Sequence, residues 1–104
     1  MNFINCTPHA ITVEGLGPLP ASGSVPRCTT ERSEATSVGG VRVITQKMGA
    51  VTGLPDPVEG VFYIVSGLVL GALNGTRPDV VAPDTGPDAI RENGQIVAVK
   101  GFVQ

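Results

Sequence analysis

Apolar and polar positions divide the chain into short extended segments with one helix past the middle. The sharpest signal is Val58–Gly86. Within it, Val61-Phe62-Tyr63-Ile64-Val65 is an unbroken β-branched and aromatic run, the mark of a strand buried on both faces. Ser66 follows as a helix N-cap, and Leu68–Leu73 as a short apolar helix. Asn74-Gly75 stops that helix, since both residues accept the left-handed conformation of a C-cap. A second strand, Asp79–Ala82, runs to Pro83. Strand, short helix and strand in this order predict a crossover with the two strands parallel and both carboxyl ends on one side. Ligands of such sheets sit beyond the carboxyl ends, often at a helix N-terminus. Both ends here are polar and carry glycine: Ser66-Gly67 and Asp84-Thr85-Gly86-Pro87.

The flanking segments read as strands and turns. Asn2–Asn5 and Ala10–Glu14 are predicted strands around a polar corner, Cys6-Thr7-Pro8-His9, in which Pro8 holds Thr7 extended and Asn5 and Thr7 bond back to the corner's amides. Leu16–Gly23, with Gly17-Pro18, Pro20 and Ser22-Gly23, is expected to be loop. Val25–Ser33 is a mostly polar strand near an edge, because Pro26 cannot donate to a ladder. Glu31–Gly40, charged and closed by glycine, is expected to be a hairpin loop. Val41–Thr45 is a strand that continues to Val51 with a bulge near Gly49, and Gly53–Pro57 is rigid loop. Ala89–Arg91 and Gln95–Val103 form a hairpin around Glu92-Asn93-Gly94, where Asn-Gly is a strong turn signal. The fold class is therefore α+β: a small, β-rich single domain over residues 1–104, with a mixed or mostly antiparallel sheet or a partial barrel. Its one short helix, about residues 67–74, lies in the strand–helix–strand crossover.

Composition narrows the function classes. A chain of 104 residues supports one modest core. Fourteen glycines and nine prolines imply many turns, while the apolar runs between them argue against disorder. A net charge of −2 gives no electrostatic footprint for duplex nucleic acid or an anionic membrane, although a local basic patch can still hold a compact anion. The longest apolar run, Val61–Leu73, is shorter than the roughly twenty residues that span a bilayer, and no signal-peptide pattern opens the chain. A cytoplasmic protein is expected. Cys6 and Cys28 lack zinc spacing; they form either a disulfide or, as a cytosolic setting favours, two buried reduced thiols.

Three polar corners carry the candidate chemistry. With the N-terminal strand parallel beside the central pair, Asn5–His9, Ser66-Gly67 and Pro83–Gly86 lie at one edge of the sheet. The amides opening the helix, the hydroxyls of Thr7, Ser66 and Thr85, and a guanidinium from Arg77, Arg91 or Arg27 then suit a phosphate or pyrophosphate. The bland alternative makes Ser66 only a cap and Thr85-Gly86 only a turn. His9, the single histidine, serves as a ligand donor, as a general acid or base oriented by Asp84 or Asp79, or simply as a turn residue. One histidine and scattered carboxylates give no metal-ligand set, and no cofactor is expected. Arg77 and Asp79, flanking Pro78, also read as a local ion pair. Phe3, Phe62, Tyr63 and Phe102 read as core, with one of them available to stack on a nucleobase.

The combination Asn5-x-Thr7-Pro8-His9, Pro20-x-Ser22-Gly23, Gly53-Leu54-Pro55-x-Pro57, Tyr63-Ile64-Val65-Ser66-x-Leu68-Val69, Arg77-x-Asp79, Pro83-x-Thr85-Gly86 and Arg91-x-x-Gly94 resembles a group of small, mostly uncharacterised bacteriophage and prophage proteins. Cys6 departs from it, standing where an aliphatic residue is expected. The resemblance implies a viral accessory protein working inside a bacterial cell. By analogy with other small phage proteins, the expected function is anti-defence: binding and sequestering a nucleotide-derived immune signal, such as a cyclic nucleotide or an ADP-ribose derivative, without catalysis. The ligand-binding candidates are Asn5, Thr7, His9, Ser66, Gly67, Thr85, Gly86, Arg91 and Arg77. A homo-oligomer is expected, because so small a domain leaves sheet edges to pair. The alternatives are an enzyme cleaving such a signal with His9 as acid or base, and a protein–protein inhibitor or structural accessory.

Overall fold

The computed structural model describes residues 2–104, the side chains of Ala35 and Met48 excepted. Four strands from widely separated parts of the chain make the central sheet: β1 (Asn2–Asn5), β6 (Val61–Ile64), β7 (Val80–Pro83) and β10 (Phe102–Val103), in the order β1-β6-β7-β10. β1 and β7 both run parallel to β6, while β10 is antiparallel to β7. The carboxyl ends of the three parallel strands therefore share one edge, with Asn5 level with Ile64 and Ile64 level with Val81.

The single helix, α1 (Gly67–Leu73), connects β6 to β7. The side chain of Ser66, in extended conformation, accepts from the Val69 amide, and Asn74 ends the helix at a φ of 51° with its amide bonded to the Gly71 carbonyl. One face of the sheet buries Tyr63, Val65 and Val80 with Cys6 and with Val69 of α1. Tyr63 reaches the core edge, where its hydroxyl donates to the Asp56 carbonyl at 3.0 Å. By strand alternation Phe62 and Ile64 point the other way. Ile64 is fully buried, and the ring of Phe3 packs between those of Phe62 and Phe102, with centroids 5.8 and 5.0 Å away.

Three antiparallel hairpins complete the chain: β2 (Ile11–Val13) with β3 (Gly17–Leu19), β4 (Arg27–Val38) with β5 (Val41–Thr52), and β8 (Ile90–Glu92) with β9 (Gln95–Ala98). The sheets do not close into a barrel. A β-rich domain with mixed and antiparallel pairing and one short helix is what the residues build.

Three sequence expectations need correction. Gly17–Leu19 is strand, not loop: Pro18 sits opposite Thr12 on a strand with no second neighbour, where a missing amide costs little. Glu31–Gly40 is not a hairpin loop either. β4 runs on to Val38, and the turn is Gly39-Gly40 alone, with φ of 57° and 79°, the positive pair that a two-residue turn of matching twist requires. Last, Gln95–Val103 is not one strand. It leaves β8 after Ala98, bridges Val13 through Val99, and pairs with β7 only from Phe102. The bulge near Gly49 is present: the ladder slips between the Cys28 and Thr30 pairs, and a Cβ on Gly49 would collide with Thr29 Oγ1.

Candidate functional site

The three polar bends follow directly from the strand ends. After β1 the Cys6 amide still donates to the Ile64 carbonyl, at 2.8 Å, and then the chain turns away. Asn5 makes that turn. It is buried, its Nδ2 donates to the His9 and Leu19 carbonyls at 2.8 and 3.0 Å, and its Oδ1 accepts from the Thr7 amide at 3.0 Å and the Thr7 hydroxyl at 2.6 Å. After β6, Val65 stays in the sheet through a 2.8 Å bond to the Val81 carbonyl, and Ser66 caps α1. After β7, Asp84 Oδ1 accepts from the Gly86 amide at 3.0 Å and folds the third bend.

These bends meet. A cleft of about 470 Å³ is lined by Thr7, His9, Ser66, Gly67, Asp84, Thr85 and Gly86, with an apolar wall of Ile11, Ala82, Pro83 and Val103. That volume lies within the roughly 300–1,000 Å³ of small-ligand sites. Among the described residues the Ser66 hydroxyl donates to nothing, its oxygen acting only as acceptor for the Val69 amide. Among the described residues the His9 imidazole and the Thr85 hydroxyl have no hydrogen-bond partner, and one Asp84 carboxylate oxygen is open. The amides of Gly67 and Leu68 precede the first intrahelical bond, from Leu70 to Ser66.

Of the nine candidates, six line this cleft: Thr7, His9, Ser66, Gly67, Thr85 and Gly86. Three do not. Asn5 lies beneath it and holds the corner. Arg91 stands behind the third bend, its guanidinium donating to the carbonyls of Ala89, Thr85 and Gly86 at 3.3, 3.1 and 3.2 Å. Arg77 starts the turn into β7, at the amino end of that strand. It grips Asp79 with two bonds of 2.9 Å and also donates to the Pro55 carbonyl. That pair holds the Asp79 carboxyl below its ordinary pKa and raises Arg77 further.

A second cleft, about 290 Å³, opens on the far side of the Thr7–Ser66 ridge between α1 and the foot of β4. Pro8, Val25, Pro26, Leu68 and Val69 make it apolar, and Arg27 stands at it without a carboxylate partner among the described residues. The sequence offered Arg27 only as one of three arginines. Its advantage is that Arg77 and Arg91 are engaged with Asp79 and with carbonyls. Cys6 and Cys28 line the same cleft and are not disulfide-bonded. Burial pushes the Cys6 thiol up, only partly offset by Ser22, so it is a poor nucleophile near neutrality.

Among the described residues no group of three or more His, Cys, Asp or Glu is placed to hold a metal ion, and no helix is long and apolar enough to cross a membrane. No protein-family model, curated protein or solved structure matches the chain.

Proposed function

We propose that the chain binds a small phosphorylated nucleotide-type ligand in the Thr7–Ser66–Thr85 cleft and holds it without turnover. In this reading it is a phage-encoded, oligomeric protein that withdraws a host immune signal, a cyclic nucleotide or an ADP-ribose derivative, inside the bacterial cell. One observation carries it: three bends from distant parts of the chain converge beyond the carboxyl ends of three parallel strands, on a cleft of ligand size. The Ser66 hydroxyl, the His9 imidazole and the helix-opening amides are donors suited to phosphate oxygens. The open oxygen of Asp84 suits a ribose hydroxyl and would repel a bare anion, which favours a nucleotide over inorganic phosphate. The apolar wall suits a flat base.

His9 and Asp84 line the same cleft, which is the observation behind a second reading: cleavage of the ligand with His9 as acid or base. One experiment separates the two. Calorimetry and native mass spectrometry with cyclic nucleotides, linear dinucleotides and ADP-ribose should show binding of at least one. Chromatography after denaturation should return it intact. Altered ligand would replace the binder with the enzyme, and absence of binding across the panel would remove both.

A further inference from the structure

The two clefts have a wall in common. Thr7 and Ser66 line both the cleft of about 470 Å³ and the cleft of about 290 Å³ beside α1, so a molecule lying across their ridge touches both. At about 290 Å³ the smaller cleft sits at the lower limit of small-ligand sites, the size of an annex more than of a site of its own.

The chemistry is divided between them. The larger cleft offers hydroxyls and an imidazole, but no lysine or arginine lines it, and the carboxylate of Asp84 opposes an anion there. A phosphate confined to that cleft would meet no fixed positive charge. The smaller cleft supplies it. Arg27 is the one lysine or arginine lining either cleft, and among the described residues its guanidinium holds no hydrogen bond or ion pair. Its planar fork is the side chain best matched to phosphate oxygens. Arg77 and Arg91 are bonded to Asp79 and to carbonyls instead. Arg27 is exposed at the first position of β4, so its side chain can move over the cleft while the ladder stays intact. On the ridge itself, the Ser66 hydroxyl has no acceptor among the described residues. Beyond it, Pro8, Val25, Pro26 and Leu68 make an apolar wall, with Leu68 57% exposed. Such a wall suits a flat ring that follows the phosphate.

We infer that the two clefts form one bipartite site for a phosphate-bridged dinucleotide, an inference that rests on the ligand reading above. One base and its ribose occupy the larger cleft, and the phosphate bridge crosses the Thr7–Ser66 ridge against Arg27. The second unit lies on the Leu68 wall of the smaller cleft. Arg27 thereby supplies the charge that the larger cleft lacks, and Leu68 distinguishes two units from one.

Calorimetry of the full chain tests this with two sets of probes: AMP and cyclic AMP as single units, and ADP-ribose, linear di-adenylate and cyclic di-adenylate as bridged pairs. At least one bridged probe should bind about ten-fold or more tighter than either single unit. Arg27→Leu should weaken that probe about ten-fold or more. Leu68→Trp, which fills the smaller cleft from a different element, should bring it down to near the single-unit level. Both positions are exposed, and circular dichroism checks that each variant keeps the fold. Single units that bind as tightly as every bridged probe overturn the inference and leave the ligand reading standing. So does a bridged probe indifferent to either substitution. No binding by any probe removes the ligand reading, and this inference with it.

Discussion

Valine behaves in opposite ways in the two halves of this molecule. Val65 and Val80 are sealed between the central sheet and α1, while Val38 and Val41, in equally regular strands, stand mostly in water. The strands of the sheet are four residues or fewer, yet they hold five of the eleven buried apolar residues described; those of the ribbon are twelve each and hold none. Regular β structure is thus set by local preference and ladder bonds, whereas stability is set by which of those residues leave water.

Substitutions sharpen that contrast. Ile64→Ala removes a fully buried side chain and should cost about 2–5 kcal/mol in urea unfolding. The matching Val43→Ala in the ribbon should stay within about 0.5 kcal/mol. Equal losses would mean that the ribbon is not the exposed element described. Next comes Asn5→Ala, which leaves the His9 and Leu19 carbonyls and the Thr7 amide without their buried partner. A loss of about 2–3 kcal/mol is expected, together with weakened ligand binding, since the bend carrying Thr7 and His9 is no longer held.

Arg77→Ala should cost about 1–2 kcal/mol, as the pair is bidentate and its side chains are only 19% and 17% exposed. Its pH signature has a definite sign. Asp79 is depressed in the folded state, so the pair's contribution is complete above the ordinary aspartate value of about 3.9 and fades as pH falls below it, through the lower folded value. Acid unfolding of Arg77→Ala should lack that component. Among the polar positions the smallest effect is Ser66→Ala, about 1 kcal/mol for a lost helix cap. If its hydroxyl also meets a ligand, binding should fall well beyond what the stability loss explains. If binding is unchanged, Ser66 is a cap and nothing more.

The central sheet was the more legible region. Continuous β-branched runs and Ser66 and Asn74 at the helix ends each carry a local reason for their structure, and the structure follows them; outside the sheet, Asn93-Gly94 does the same for the β8–β9 turn. The ribbon was less legible because Glu31, Arg32 and Glu34 have the composition of a loop. With no face to bury, a solvated strand shows no alternation of apolar and polar residues, and only Gly39-Gly40 betrays where it turns. Pro18 hid β3 in the same way, since an edge strand tolerates what a central one does not. At the site, the meeting of Thr7, Ser66 and Thr85 was accessible from strand order. The fate of the arginines was not: whether a guanidinium is free depends on carbonyls such as Pro55, Thr85 and Gly86, supplied by loops whose course local pattern does not fix.

The interleaved strand order also dictates a sequence of assembly. The β4–β5 and β8–β9 turns close loops of two residues and can form within microseconds, but β1 must wait for β6, nearly sixty residues later, before it gains a neighbour. Early hairpins followed by late stitching of the sheet is the expected order. In pulse-labelled refolding, amides of both hairpins should gain protection before those of Tyr63 and Val65.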